Sequence, residues 1–309
     1  MKADPDCIPY ALSQVLAAAR LVTEDEWIHR KVLLRALADL ANETDLERSA
    51  PEIIFASITA AYKALGVKDP YENEKARSNK ALGALEKELR DRIDGSADPL
   101  AAALDLALAG TAVDLGIQDR ETAEALLDQA QAEPPAHDER PELLAALARA
   151  KTVLYVLNNA GEVVLDKLLI ETLLPGRAVT AVVRQAPILN DVTWKDAQAA
   201  GLDRLAGVTL LDPGAPMLGL WLESASQELR ERFYDADVVL AKGQSNYETL
   251  LAAEREVYFL LRPRSMLLAK HLKVSLGDPV VVRHTAADIP SSNSNTGSGK
   301  TRAIRRKTK

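Results

Sequence analysis

The chain has 309 residues, 47% of them hydrophobic and 27% charged, with a formal net charge of −7. That balance belongs to a globular protein long enough for more than one domain, and its acidity argues against a nucleic-acid groove. No run approaches the roughly 18 apolar residues of a membrane span, the opening MKADPDCIPYAL lacks a signal-peptide core, and a single cysteine, Cys7, excludes an internal disulfide or a cysteine metal cluster; a cytoplasmic protein is expected.

Up to about Ala150 the pattern is helical. Ala11–Arg20, Glu24–Ala41 and Ile53–Ala64 carry apolar residues at three- and four-residue spacing in Ala/Leu/Glu/Arg-rich surroundings. Ser49-Ala-Pro-Glu52 reads as a capping box. Asp69-Pro70-Tyr71 breaks the pattern, and Glu72–Ile93 resumes it as one long charged helix. Asp98-Pro99 opens another helix, Gly110, Thr111 and Asp114 interrupt, and Arg120–Ala132 forms a further one. The linker Glu133-Pro-Pro-Ala-His-Asp138 is the clearest compositional boundary, and Pro141–Ala150 is a short helix leading out of it.

From Lys151 the pattern changes. Short apolar runs at Thr152–Leu157, Ala178–Val183, Gly207–Leu211, Asp237–Ala241, Glu256–Leu261 and Pro279–Arg283 read as strands. Between them lie helical stretches such as Trp194–Ala200, Gly219–Phe233 and Asn246–Ala253. This alternation predicts an α/β class: a parallel sheet covered by helices on both faces. The expected domains are a helical one over 1–150 and an α/β one over 151–289, followed by a disordered basic tail over 290–309. Gly299-Lys300-Thr301 in that tail mimics part of a phosphate loop, but no strand precedes it.

In a parallel sheet the strand C-terminal tips share one edge, where α/β proteins place ligands. The first run ends in Asn158-Asn159-Ala-Gly161-Glu162 before a helical spacing begins. The second runs into Arg184 and then Asn190-Asp191, and the third ends at Asp212. The fourth ends in Lys242-Gly243-Gln244-Ser245-Asn246-Tyr247-Glu248. Each tip alone reads more readily as a turn or helix cap than as a ligand site; their joint placement is the signal. Amide and carboxylate oxygens suit hard or borderline divalent ions, and a lysine with free helix N–H groups suits phosphate. The combination predicts metal-assisted phosphoryl chemistry. His29, His137, His271 and His284 show no metal-ligand spacing, and no Gly-x-Gly-x-x-Gly follows the first strand, which disfavours a dinucleotide.

The blocks Asn159-Ala-Gly-Glu162 with Asp166-Lys167, Arg184 through Asn190-Asp191-Val-Thr193, and Ala241-Lys242-Gly243-Gln244-Ser-Asn246-Tyr247-Glu248 together resemble the DUF89, or ARMT1-like, damage-control phosphatases. Cys7, Asp69-Pro70-Tyr71 with Lys75 and Ser78-Asn79, and Asp98-Pro99 leading to Gly110 and Asp114 extend the resemblance upstream. It implies a helical N-terminal part, a Rossmann-like three-layer α/β/α part, and a metal-dependent phosphatase acting on sugar phosphates or damaged phospho-metabolites. It further implies a divalent ion (Mn, Mg, Co or Ni) held by Asn158, Asn159 and Asp191, with Lys242 on the phosphate. Gly161, Glu162, Arg184 and Asn246 are implied near substrate. The chain departs from the family pattern at three places. Asn158 stands where the family has Asp, so one anionic ligand becomes a neutral amide and a reduced activity is expected. The early Cys-x-x-Cys is Cys7-Ile-Pro-Tyr10, and the usual Gly-Asn is Gly110-Thr111. A phosphometabolite-binding protein without turnover, or an S-adenosylmethionine-dependent carboxyl methyltransferase, are the alternatives.

Overall fold

A computed structural model describes residues 1–43, 45–113, 117 and 119–285; Asp114 and the basic tail lie outside the described residues. The first 132 residues form seven helices among those described: α1 (Cys7–Val22), α2 (Glu26–Glu43), α3 (Ala50–Leu65), α4 (Glu72–Gly83), α5 (Glu86–Asp94), α6 (Pro99–Gly110) and α7 (Arg120–Ala132). Their ends follow the local chemistry. Ser49 and Glu52 satisfy each other's backbone in a capping box before α3, and Gly66 closes that helix at φ 72°. Asp98 accepts from Ala101 N–H at 3.0 Å to start α6, with Pro99 at its first turn. The single helix expected over 72–93 is two, α4 and α5. Gly83 is a poor helix former, and the break turns Leu85, 2% exposed, into the core.

The remaining elements are β1 (His137–Asp138), α8 (Arg140–Arg149), β2 (Thr152–Val156), α9 (Val163–Leu173), β3 (Ala178–Val182), α10 (Trp194–Ala200), β4 (Val208–Leu211), α11 (Gln227–Asp235), β5 (Val238–Lys242), α12 (Gln244–Leu250), β6 (Val257–Leu261), α13 (Met266–Leu272) and β7 (Val280–His284). The helix expected from Gly219 starts only at Gln227. Gly219 sits at φ 79°, where an added Cβ would lie 2.5 Å from Ser245 O, and the chain there makes a 3₁₀ turn before Ser226 caps α11.

All six expected strands pair in one seven-stranded sheet of order β1-β7-β6-β5-β2-β3-β4. It is parallel from β6 through β4, but β7 runs antiparallel to β6. The reason is a short return: Gly277 N–H donates to Pro263 O at 2.9 Å, so the chain re-enters the sheet beside the tip of β6. The linker at His137–Asp138 supplies the extra edge strand. None of the described helices is long and apolar enough to cross a membrane.

Side chains alternate across the sheet with the two-residue period of a strand. Val153 and Tyr155 face a core that also holds Leu104 of α6, Leu143 of α8 and Leu169 of α9. Leu154 and Val156 face the opposite core, with Phe233, Leu250 and Leu268. The first core thus crosses Ala150, the expected domain boundary, without a break. A third cluster packs α1, α2 and α3 together and reaches Ile188 and Leu218. The chain leaves β2 towards β3 and β4, then returns to the other side of β2 as β5. The connections after β2 and β5 therefore diverge, which opens a crevice between their tips.

Candidate active site

The turn after β2 is held from three directions. Gly161 adopts φ 83°, and its N–H donates to Asn79 Oδ1 of α4 at 2.6 Å. A Cβ on Gly161 would meet Ser78 at 2.9 Å, so only glycine fits under α4. Glu162, fully buried, accepts through Oε1 from Asn158 Nδ2 at 2.7 Å and from Asn159 N–H at 2.9 Å. The amide nitrogen of Asn158 is thereby committed to Glu162, and the whole carboxamide lies against Gly243, the residue that opens α12. An added Cβ on Gly243 would lie 2.3 Å from Asn158 Oδ1. Replacing Asn79 by Ala removes the acceptor of the Gly161 N–H. It is expected to cost about 1–3 kcal/mol in chemical denaturation, the usual penalty for a stranded, largely buried donor.

Behind this turn lies a buried charge cluster. Lys242, with no exposed surface, places Nζ 2.6 Å from Glu162 Oε2 and 2.7 Å from Asp166 Oδ1. Tyr155 OH donates to the same Asp166 oxygen at 2.7 Å. Burial pushes the Asp166 carboxyl up to about 6, with Lys242 pulling the other way. Burial likewise works against the Lys242 charge, but Asp166 and Glu162 hold it above the usual lysine value. Gly110, the last residue of α6, makes room for this cluster: a Cβ there would sit 3.3 Å from Glu162 Cβ and 3.4 Å from Lys242 Nζ.

The segment after β3 is zipped to the same turn. Val192 N–H donates to Asn158 O at 2.8 Å, Ala160 N–H to Asn190 O at 2.9 Å, and Asn159 bridges Asp191. Leu189 takes φ 48°, an uncommon value for leucine, and its N–H is met by Tyr62 OH of α3 at 3.0 Å. Arg184 is fully committed: Nε to Asp191 Oδ2 at 2.6 Å, Nη1 to Gly219 O at 2.8 Å, and Nη2 to Asn246 Oδ1 at 2.9 Å. Asn246 in turn donates to Lys242 O and Leu157 O. Burial raises the Asp191 carboxyl above the ordinary aspartate value, and Arg184 opposes that rise.

These elements enclose a cleft of about 280 Å³. Asn158, Asn159 and Asp191 line it together with Gly243, Gln244 and Ser245. Gly161, Glu162, Arg184, Lys242 and Asn246 are not among its lining residues; they form the layer that supports it. Glu248, at the end of the fourth tip run, also lines the cleft, and so do polar side chains outside the strand tips read from sequence, among them Tyr10, Gln14, Arg262 and Arg264. The two arginines follow β6, whose tip obeys the same rule as the others and was the readable signal. Tyr10 and Gln14 come from α1, and no local pattern marks them. Tyr10, Thr111 and Asn158, where the chain departs from the pattern it resembles, all line this one cleft.

Among the described residues no group of three or more His, Cys, Asp and Glu side chains converges on a metal position. The donor set at the β2 tip is different in kind: two amide oxygens and one carboxylate. Such oxygen-only sets suit Mg²⁺ or Mn²⁺ rather than thiophilic ions. With Nδ2 tied to Glu162, the oxygen is the Asn158 atom left for a ligand, and Asn158, Asn159 and Asp191 line one cleft, so the residues fit a hard divalent ion.

The damage-control phosphatase ARMT1-like domain matches residues 3–280. A damage-control phosphatase of Archaeoglobus fulgidus is 31% identical over 91% of this chain and 98% of its own. One from Pyrococcus horikoshii is 29% identical over 92% of this chain and 99% of its own. The crystal structure of a DUF89 family protein from Pyrococcus horikoshii superposes with a TM-score of 0.82 at 28% identity, covering 92% of this chain and all of that one. With the fold, the strand-tip cleft and the sequence match in agreement, the chain belongs to the damage-control phosphatase ARMT1-like family, also called DUF89.

Proposed function

We propose that this protein is a divalent-metal-dependent phosphatase that hydrolyses phosphomonoesters of small metabolites in the cleft between the β2 and β5 tips. The observation that carries the reading is the meeting of Asn158, Asn159 and Asp191 in one cleft at the sheet's switch point. A divalent ion (Mn, Mg, Co or Ni) bound there would neutralise phosphoryl oxygens and acidify a bound water. The protein's own residues supply the positioning. Arg184 ties one oxygen of Asp191, and Glu162 takes the Asn158 amide nitrogen, which leaves the amide oxygen for a ligand. Lys242 balances Glu162 and Asp166 so that Glu162 accepts and never repels. We assign Lys242, Arg184, Glu162, Gly161 and Asn246 to this supporting layer; Lys242 is spent on the two buried carboxylates rather than on the phosphate. Asn158 is neutral at any working pH, so it serves as neither nucleophile nor base.

The test is hydrolysis of a hexose phosphate and an aryl phosphate with each of the four metals, and its loss on chelation. Asp191→Ala is expected to lower kcat/KM roughly 100-fold or more, the usual consequence of removing a charge-stabilising group. Absence of turnover with every metal at high enzyme concentration would refute the reading.

The amide at Asn158 favours one alternative, a binding protein that keeps the cleft without turnover. Asn158→Asp separates the two. Creation of activity from none, in a parent that binds a hexose phosphate, supports the binding protein; a modest change in an active parent supports the enzyme. The substitution also sets a carboxylate against Glu162 across what is now a 2.7 Å hydrogen bond, so loss of activity from an active parent is equally consistent with the enzyme.

A further inference from the structure

Among the described residues, the cleft has two acids on its wall, Asp191 and Glu248. Asp191 belongs to the strand-tip group and is tied by Arg184. Glu248 sits on the second turn of α12, is 3% exposed, and answers to a different set of neighbours. Its Oε1 accepts from Gln244 Nε2 at 2.6 Å. Gln244 is itself fixed, accepting from Arg264 N–H at 2.7 Å and donating to Ser265 Oγ at 3.0 Å. The partner given to the Glu248 carboxyl is thus a rigid neutral amide. The other buried acids around the site, Glu162, Asp166 and Asp191, each have a cation at hydrogen-bond distance.

The charged and titratable groups around Glu248 come from three sides. The Met1 amine donates to its main-chain oxygen at 3.0 Å, and the buried Cys7 thiol of α1 lies within its field. Tyr10 of α1 lines the same cleft, as do Arg262 and Arg264 beyond β6. Arg262 is engaged with Glu133 and Gly277 O. Burial lifts the Glu248 carboxyl to about 7, opposed by Gln244 and the Met1 amine.

We propose that Glu248 is a specificity-determining residue that reads hydroxyl groups on the part of the substrate bearing the phosphate. The proposal rests on the phosphatase reading for its choice of ligand. A carboxyl that is partly protonated near neutrality offers one O–H donor and an acceptor, which a polyol can match and an aryl ring cannot. A substrate hydroxyl that accepts the carboxyl O–H holds the carboxyl in its neutral form. Hexose phosphate binding therefore takes up protons at Glu248, and it weakens as pH rises above 7.

The experiment compares the parent with Glu248→Gln, which keeps an oxygen for Gln244 to donate to. The ratio of kcat/KM for a hexose phosphate to that for an aryl phosphate is expected to fall about tenfold, the scale of one lost hydrogen bond to a polar substrate, with the loss in KM. Calorimetry at pH 7 in buffers of different ionisation heat should show the parent taking up more protons than Glu248→Gln on binding the hexose phosphate. An unchanged ratio together with equal proton uptake overturns the proposal. If neither ester is hydrolysed with any metal, the phosphatase reading fails, while the calorimetry still judges Glu248; a parent that does not bind hexose phosphate overturns it. If Glu248→Gln does not fold, the parent alone decides. Proton uptake must then be larger with hexose phosphate than with phenyl phosphate, and equal uptake overturns the proposal.

Discussion

Replacing Lys242 by methionine is expected to lower the unfolding free energy by about 3–5 kcal/mol, the cost of stranding buried charge after one partner is removed. Lys242 is the cation at hydrogen-bond distance from both Glu162 and Asp166, and all three are fully buried. Methionine fills similar volume, so the loss reports charge rather than a cavity. The effect depends on pH with a definite sign. In the folded protein the Asp166 carboxyl titrates at about 6, against an ordinary value of 3.8. A raised carboxyl contributes stability that is fully present below the ordinary value and lost as pH rises through the folded one. Without Lys242 that carboxyl rises further, so Lys242→Met should lie nearer the parent at pH 4 than at pH 8. Urea denaturation at both values measures this. A difference under about 1 kcal/mol at pH 8, the size of an exposed pair, would mean that the cluster is not what holds α9 to the end of β5. Adding Asp166→Asn to Lys242→Met should recover part of the loss.

Gly243→Ala should damage both stability and activity. Gly243 sits at φ 84° and ψ 159°, a region that residues with a Cβ scarcely enter, at a cost of order 1–3 kcal/mol. The added methyl would also lie 2.3 Å from Asn158 Oδ1, so the amide must move. Misplacement of a ligating or substrate-positioning atom by about 1 Å costs on the order of 100-fold in rate. Turnover of an aryl phosphate, Mn²⁺ affinity by electron spin resonance, and denaturation together separate the two effects. A variant with parental turnover and metal affinity would show that Asn158 does not act through its oxygen.

Much of the architecture is legible in local chemistry. The helix starts at Asp98-Pro99 and Ser49–Glu52 follow from capping, and the strand runs follow from continuous apolar, β-branched stretches. Arg120–Ala132 and Trp194–Ala200 are bounded where the spacing places them. The tip rule leads to Asn158, Asn159 and Asp191, three residues that line the cleft. It leads equally to Lys242, Arg184 and Glu162, which lie beneath it. Nothing local separates the two groups, because a lysine at a strand end reads the same whether it faces a ligand or a buried acid. The choice is made by Asp166 on α9, by Gly110, which leaves room for the ammonium, and by Asn246, which receives Arg184.

The same holds for larger features. Polar punctuation places a boundary near Ala150, but the apolar faces of α6 and α8 bury against β2 and α9, so the core passes through it. The direction of β7 depends on the return at Gly277, which strand periodicity does not encode. Residue order and periodicity, being local properties, determine the α/β class, most element boundaries and the oxygen-bearing strand tip. Burial is a property of pairs distant in the chain, and tertiary packing alone decides which tip residues meet solvent in the cleft, which become its buried support, and that Glu248 shares the wall.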